Sequence, residues 1–157
     1  MASLAHGLAA GIGGDIETDS PGLAAGIDLW GEEILWSAET GDMELAPNGD
    51  YQLVTGVAAI RQAIRIRLMT RKGSLPWAPT FGVGIEDYLG NVSTDSARSR
   101  LRGEIIDQLL QDPRLDSIED AGVEEQTING QRVLVVQVRC SAAGTAVPAT
   151  SFQFGGG

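Results

Sequence analysis

The chain has 157 residues, of which 43% are apolar, and a formal net charge of −10 at pH 7, which suits one small domain with a core of ordinary extent. The negative charge argues against nucleic acid as a partner, because phosphate binding needs an excess of Lys and Arg. The longest aliphatic run, Val133 to Val136, is far shorter than the roughly 20 residues of a membrane span, and the single cysteine, Cys140, excludes an internal disulfide.

The acidity is concentrated at the N-terminal end, where residues 1–60 carry ten acids and no Lys or Arg. Within residues 1–40, Gly-Leu-Ala-Ala-Gly-Ile occurs at 7–12 and again at 22–27, but two copies are too few for a repeat architecture. We interpret residues 1–40 as an acidic N-terminal arm that is extended or disordered by itself. The apolar cluster "IDLWGEEILW" at 27–36 predicts that this part of the arm docks on another surface. The sequence leaves open whether that surface is this chain's own core or a neighbouring protein.

A hairpin and a helix are predicted after the arm. The segments "MELA" at 43–46 and "YQLV" at 51–54 flank the turn-forming Pro47-Asn48-Gly49-Asp50, which is typical of a short β-hairpin. Thr55 can then cap a helix from about Val57 to Met69. The residues at helical spacing on its apolar face are Val57, Ile60, Ile64 and Leu68.

The segment "TRKGSLPWAPTFGVGIEDYLG" at 70–90 joins this helix to the next one. Two prolines restrict its backbone, and two aromatic side chains alternate with them. These residues are Pro76, Trp77, Pro79 and Phe81. We interpret the segment as a stiff apolar loop that packs or docks against another surface.

The same loop contains Glu86 and Asp87, which raises the alternative of a carboxylate pair for glycoside hydrolysis. That mechanism needs two carboxyl groups about 5 to 9.5 Å apart across the bond, so Glu86 would need a distant partner such as Glu104. Sequence neighbours point in different directions, and the preferred interpretation is that both acids solvate or cap a turn at 87–89. Because the one histidine, His6, lies in the arm, no catalytic, metal or cofactor site is predicted.

A second helix is predicted from Ser93–Asp95 to about Leu110, closed by Asp112-Pro113-Arg114. Its buried face steps by four residues through Ala97, Leu101, Ile105 and Leu109. Gly103 within it lowers helix propensity, and a glycine is tolerable there where another element must approach closely.

Asn129-Gly130 lies between two apolar runs and predicts a hairpin with strands at 117–128 and 131–140. One face of the second strand carries Leu134, Val136, Val138 and Cys140. The other face carries Val133, Val135, Gln137 and Arg139. That second face is either half covered or an edge that partners use. Cys140 is interpreted as a buried small hydrophobe, and residues 142–157 as a flexible C-terminal tail.

Together these elements predict an α+β fold class, with two main helices packed on antiparallel β-hairpins in a small single domain at 41–141. Arginines on the two helices suit charge-assisted pairing with carboxylates, within the chain or on a partner. These arginines are Arg61, Arg65, Arg98, Arg102 and Arg114.

A series of short motifs occurs in a fixed order across residues 41–141. They are Val54-Thr55-Gly56, Ile60-Arg61-Gln62-Ala63-Ile64, Leu68-Met69-Thr70-Arg71-Lys72-Gly73, Pro76, Pro79, Phe81-Gly82, Tyr88-Leu89 and Asp112-Pro113-Arg114. In this order and spacing they resemble the family of phage baseplate wedge proteins that includes baseplate assembly protein W and its type VI secretion counterpart. Asp112 stands where the family's Glu-Pro-Arg signature has Glu, so its side chain is one methylene shorter.

The resemblance implies a structural, non-enzymatic role as a sheath initiator in the virion tail baseplate, assembled in the host cytoplasm in several copies, about six per particle. The implied partners are the sheath protein and baseplate wedge proteins, with tail tube or hub proteins nearby. The hairpin at 118–140 would accept a sheath strand by β-augmentation along Val133–Arg139. Partner contacts are also expected at Asp112, Pro113, Arg114, Trp77, Phe81 and the helix arginines. Because some family members carry a lysozyme-like label, a peptidoglycan-cleaving enzyme is the alternative.

Overall fold

Two helices and two antiparallel sheets form the part of the chain that the computed structural model describes, residues 31–37 and 40–155. The strands are β1 (Glu32–Ile34), β2 (Leu53–Thr55), β3 (Leu115–Ile128), β4 (Gln131–Ala142) and β5 (Thr145–Phe154), and the helices are α1 (Gly56–Met69) and α2 (Asp95–Leu109). β1 pairs with β2, while β4 lies between β3 and β5 in the second sheet. The α+β class predicted from the sequence is confirmed.

A threonine precedes each helix, as the sequence predicts. Thr94 Oγ1 accepts a hydrogen bond from the backbone N–H of Ala97, which satisfies one of the N–H groups that a first helical turn leaves unpaired. Thr55 occupies the equivalent position before α1 in extended backbone, without a side-chain cap bond. The cap bond is thus present before α2, whereas the cap expected at Thr55 forms no side-chain bond.

The core lies between the helices and one face of the three-stranded sheet, and its central side chains are at most 2% exposed. They include Ile60, Ile64, Leu68, Leu101, Ile105, Leu109, Leu134, Val136, Val138 and Cys140. Each large apolar side chain buried this way contributes about 1.5–3 kcal/mol. The interpretation of Cys140 as a buried hydrophobe is confirmed, and burial raises the pKa of its thiol to about 11.

Gly103 does not mark a close approach of another element. Outside the backbone of its own helix, no described atom lies within 4 Å of the position that a Cβ would occupy. A close approach of another element therefore does not account for this glycine.

The hairpin predicted at Asn129-Gly130 is present. Both turn residues have positive φ, 51° and 82°, as a type I′ turn requires. From this turn β3 pairs with β4 without a register shift as far as Ala121 opposite Val138. Farther from the turn, β3 has two irregularities, between Leu115 and Ser117 and between Ile118 and Asp120.

The segment that we expected to be a flexible tail, residues 142–157, instead contains strand β5 as far as Phe154. A second tight turn, Ala143-Gly144, has φ of 49° and 74° and returns the chain alongside β4. Phe152 and Phe154 are 5% and 3% exposed and belong to the core. Small polar residues suggested a tail, but these apolar side chains provide the free energy that holds the segment in the sheet.

The boundary of the N-terminal arm also differs from the expected residue 40. Glu32–Ile34 form β1, which pairs with β2 in the register Ile34 opposite Leu53. The predicted hairpin at 43–46 and 51–54 is reduced to one bridge, between Leu45 and Tyr51, because Leu53–Thr55 pair with β1 instead. The described end of the arm therefore docks on this chain's own core, while Trp30 and the rest of residues 1–30 lie outside the described residues.

Candidate partner-binding surfaces

Asp112 and Arg114 form a bidentate ion pair shortly after the end of α2. Arg114 Nε donates to Asp112 Oδ1 at 3.0 Å, Nη2 donates to Oδ2 at 2.7 Å, and the backbone N–H of Arg114 also donates to Oδ1. Arg114 Nη1 donates to Glu33 Oε1 at 2.8 Å. The shorter aspartate thus makes the full bidentate contact, and these bonds join the end of α2 to β1.

The charges of Asp112 and Arg114 are held in their ionised forms. Burial alone would raise the pKa of Asp112, but hydrogen bonds from Arg114 outweigh it and hold the pKa below its ordinary value. The pKa of Arg114 is raised, chiefly by its bond to Asp112. We expected Asp112, Pro113 and Arg114 to contact a partner; the bonds described for Asp112 and Arg114 lie within the chain, and a partner contact there stays a prediction.

A buried glutamine on α1, Gln62, fixes the chain leading out of β1. Its Nε2 donates to the carbonyl oxygen of Ile34 at 2.8 Å and to Glu33 Oε2 at 3.1 Å. Its Oε1 accepts from the backbone N–H of Trp36 at 2.9 Å. Sequence reasoning gave Gln62 no role, although a glutamine between Ile60 and Ile64 on a buried helix face was a usable signal.

A second buried glutamine, Gln108 on α2, holds the loop between the helices. Its Nε2 donates to the carbonyl oxygen of Thr80 at 3.1 Å, and its Oε1 accepts from the backbone N–H of Gly82 at 3.0 Å. The carbonyl oxygen of Gln108 accepts from Arg67 Nη1 at 2.8 Å. α2 therefore binds the loop backbone at Thr80 and Gly82, and the stiffness of the whole segment stays a prediction.

Gly82 allows the loop to lie directly against the end of α1. Its φ is +99°, and a Cβ there would lie 2.1 Å from the carbonyl oxygen of Thr70. A residue with a side chain would therefore meet both backbone strain and a clash.

The two aromatic residues of the loop have different surroundings. Trp77 is 80% exposed, which leaves its indole ring open to a partner. Phe81 is half-buried, with the Arg67 guanidinium 4.4 Å from its ring centroid. Trp77 remains a candidate partner contact, whereas the Phe81 ring packs within the chain.

The sequence left open whether the helix arginines pair within the chain or with a partner, and the structure gives each an internal contact. The contacts are Arg61 Nε to Thr150 Oγ1 at 3.0 Å, the Arg65 guanidinium 5.6 Å from the Phe154 ring centroid, Arg98 to Asp95 at 2.5 Å and Arg102 to Asp120 at 2.7 Å. Arg139 on β4 also reaches Asp120, at 3.2 Å. Arg61 and Arg65 thus face β5, and Asp120 joins α2 to β4.

Strand β4 is not an open edge, so the predicted augmentation along Val133–Arg139 is wrong. Its backbone pairs with β3 on one side and β5 on the other. Val133 and Val135 are 6% and 5% exposed, while Gln137 and Arg139 are exposed. This face is half covered, which was the other interpretation that the sequence left open. A proline at Val135 would disrupt the sheet itself.

The acids considered for catalysis take part in surface ion pairs or face solvent. Asp87 pairs with Arg71 at 2.6 Å, and Glu86 is exposed. Glu104 accepts hydrogen bonds from Lys72 and from Tyr88 Oη; burial would raise its pKa, but these bonds lower it. A carboxylic acid that donates a proton in catalysis needs a raised pKa and a sheltered environment, whereas Glu86, the candidate for that role, is exposed to solvent.

Two further classes of site were searched for within the described residues. No group of three or more His, Cys, Asp and Glu side chains is placed to hold a metal ion there. No helix in that part of the chain is long and apolar enough to cross a membrane.

Comparison with known proteins identifies the family. A family model described as contractile injection system sheath initiator matches residues 32–140. The chain belongs to this family. The match begins at β1 and ends within β4, so β5 lies beyond it. The chain is therefore a structural component, a sheath initiator of a contractile injection system.

One solved structure shows a fold similar to that of this sheath initiator. A chain of the anti-feeding prophage baseplate, in a 6-fold symmetrised structure, matches with a TM-score of 0.57 and 22% identity over 74% of this chain and 88% of that one. A putative tail lysozyme from Geobacter sulfurreducens matches with a TM-score of 0.48 and 20% identity over 62% and 86%. No curated protein matches the chain at a significant level.

Proposed function

We propose that this sheath initiator sits in the baseplate and offers one free edge of its three-stranded sheet to the first ring of sheath subunits. The observation that carries the proposal is the sheet order, because β3 and β5 each have one side without a partner among the described residues. An unpaired strand edge accepts a strand from another chain through backbone hydrogen bonds. The likeness to a baseplate chain of the anti-feeding prophage supports the location.

We assign the sheath contact to β3, the outer strand of the hairpin. Its pairing with β4 is regular from Ala121 to Ile128, which gives a long straight edge. The opposite outer strand, β5, contains Pro148, and proline lacks the N–H that an added strand would bind. The edge of β3 is therefore the better template.

Alternate residues of β3 direct their backbone groups away from β4. In a two-residue type I′ hairpin the closing pair, here Ile128 and Gln131, is joined by hydrogen bonds. The next pair, Thr127 and Arg132, is then not hydrogen-bonded. The N–H and C=O of Thr127 face the free edge, whereas those of Gln126 bond to β4.

This alternation provides a test with a matched control. Thr127→Pro removes an outward N–H and leaves the ladder to β4 intact, so we expect a folded protein, judged by circular dichroism and thermal unfolding, and particles without sheath in electron micrographs. Gln126→Pro removes an inward N–H and should destabilise the hairpin itself. Normal sheaths on Thr127→Pro particles would contradict the assignment to β3.

We infer that several copies, six in a 6-fold baseplate like that of the anti-feeding prophage, surround the tail tube or hub and join wedge proteins. Trp77, at 80% exposure, is the proposed wedge contact, because exposed aromatic side chains commonly dominate interface energies. Assembly would take place in the host cytoplasm before incorporation into the virion tail. Trp77→Ala should weaken recruitment of wedge proteins in pull-downs and leave thermal unfolding unchanged; unchanged recruitment would contradict this contact.

We also infer that the chain is not a peptidoglycan-cleaving enzyme. Glu86, the acid considered for catalysis, is exposed, and Glu104, its considered partner, is already engaged by hydrogen bonds from Lys72 and Tyr88, whereas a catalytic acid is tuned by a sheltered environment. Purified protein and its Glu86→Gln variant should both fail to clear cell walls. Activity that disappears in the variant would overturn this inference.

A further inference from the structure

A small β-junction near the N-terminus presents apolar side chains to solvent. Three short segments meet there, 32–36, 43–46 and 51–55, through β1, β2 and the bridges Trp36–Met43 and Leu45–Tyr51. Directly paired residues lie on the same face of a sheet, as do residues two apart along a strand. One face therefore carries the residues that we call the apolar strip: Ile34, Trp36, Met43, Leu45, Tyr51 and Leu53.

The strip faces away from the core. Leu45 is 60% exposed, and Tyr51 and Leu53 are each 55% exposed. The intervening Glu33, in contrast, points inward to Arg114 and Gln62. The usual arrangement of apolar residues inside and polar residues outside is thus reversed in this junction, and an exposed apolar face of this kind is typical of an interaction site.

The segments that form the strip contribute one sign of charge, while Arg114 pairs with Glu33 on their other face. Between residues 31 and 55 the sequence has six acids and no Lys or Arg. Glu32 and Asp42 are exposed beside Ile34 and Met43 of the strip. We call these acidic residues the acidic rim of the strip. They repel phosphate groups, so nucleic acid and anionic membranes are unsuitable ligands.

Two other occupants are disfavoured by the same charge. Residues 1–30 contain acids and no Lys or Arg, so they would bring more negative charge to the rim. In a symmetric contact between two copies, the two strips would meet with their acidic rims opposed. Like charges brought together at an interface cost free energy.

We propose that the apolar strip is a docking site for a segment of another protein of the injection system, whose apolar side chains are bordered by Lys or Arg. Apolar side chains of that segment would cover the exposed leucines and Tyr51, and its basic residues would pair with the acidic rim. Burying a leucine in an interface changes affinity by roughly ten-fold or more. The inference does not depend on which strand edge meets the sheath.

The test places a photo-crosslinking residue in the strip of the full chain within assembled particles. Tyr51→p-benzoylphenylalanine should crosslink on illumination, and mass spectrometry should locate the product in a segment of a different protein with apolar residues flanked by Lys or Arg. Crosslinks to residues 1–30, to a second copy, or to an acidic or uncharged segment would overturn the proposal. The absence of any crosslink would overturn it as well.

A variant pair distinguishes docking from a structural role of the strip. Leu45→Ser combined with Leu53→Ser should lower the crosslink yield at least ten-fold without changing thermal unfolding, because both side chains are exposed. Leu110→Ser is the matched control, since Leu110 is an exposed leucine, at 49%, outside the strip. An unchanged yield in the double variant, or an equal loss in the control, would contradict the proposal.

Discussion

Arg114 and Glu33, 81 positions apart in the sequence, meet with 2.8 Å between Nη1 and Oε1. Arg114 is also bonded to Asp112 at the end of α2. These side chains are 9% to 24% exposed, so water screens their attraction only in part. The cluster is the electrostatic link between the N-terminal junction and the helical core.

Arg114→Ala should lower the free energy of unfolding by about 2–3 kcal/mol, because Asp112 and Glu33 would keep partly buried charges without this partner. Urea denaturation followed by circular dichroism measures the change. Arg98→Ala is the control, because the Arg98–Asp95 pair lies on the surface and such pairs contribute little. Equal effects of the two substitutions would contradict a structural role for the cluster.

The stability that Asp112 contributes should depend on pH. Its folded-state pKa lies below the unfolded value, so this contribution is complete above the unfolded pKa of about 3.9 and is lost as the pH falls through the folded pKa. The difference in free energy of unfolding between wild type and Asp112→Asn should be constant from pH 7 to 5 and shrink below about pH 4. A difference that stays constant down to pH 2 would argue against the depressed pKa.

Substitution of two glycines by alanine should change the stability of the protein in opposite directions. Gly82→Ala places a Cβ 2.1 Å from the Thr70 carbonyl oxygen at positive φ, so we expect a loss of more than about 2 kcal/mol. Gly103→Ala fills open space within α2 and should stabilise by about 0.5–1 kcal/mol. Thermal unfolding of the two variants tests the pair, and a stabilised Gly82→Ala protein would show that the loop is not fixed against α1.

The hydroxyl group of Tyr88 should ionise at a higher pH than that of an ordinary tyrosine. Its hydroxyl donates to Glu104 at 2.5 Å, and this bond, with burial and the charge of Glu104, raises the pKa of Tyr88 to about 12. In a Tyr51→Phe background Tyr88 is the one tyrosine, and the ultraviolet absorbance of its ionised form reports the titration. Glu104→Gln should move the midpoint toward the ordinary value of about 10; identical midpoints in the two proteins would refute the coupling.

The helices and the β3–β4 hairpin were predictable because their signals are local. Thr94 before α2 and Asn129-Gly130 between two apolar runs each specify backbone conformation within a few residues. Strand β5 was missed because its evidence is sparse: Phe152 and Phe154 are its only aromatic residues, and their burial depends on a core assembled by distant segments. The pairing of Leu53 with Ile34 instead of the adjacent hairpin strand likewise depends on tertiary context.

For the candidate partner-binding surfaces, the amino-acid sequence predicted the type of contact that the side chains make better than it predicted where those contacts lie. Arg98, Arg102 and Arg114 do pair with carboxylates, whereas Arg61 and Arg65 do not pair with one among the described residues. Arg102 and Arg139 both reach Asp120 within the chain, and no rule of spacing along one element reveals such contacts. β4 was taken for an edge because its second neighbour, β5, was not predicted. The polar side chains of Gln62 and Gln108 organise the loops from buried positions, which a search for exposed charges could not find.

The central position of β4 has a consequence for synthesis. β5 follows β4 along the chain, so on the ribosome β4 emerges first and has an unpaired flank until β5 has been made and has folded back. During that interval a nascent subunit could pair there with a foreign strand. The tight Ala143-Gly144 turn keeps β5 close to that flank, and the pairing of β5 with β4 leaves only β3 and β5 with a free edge among the described strands of this sheet.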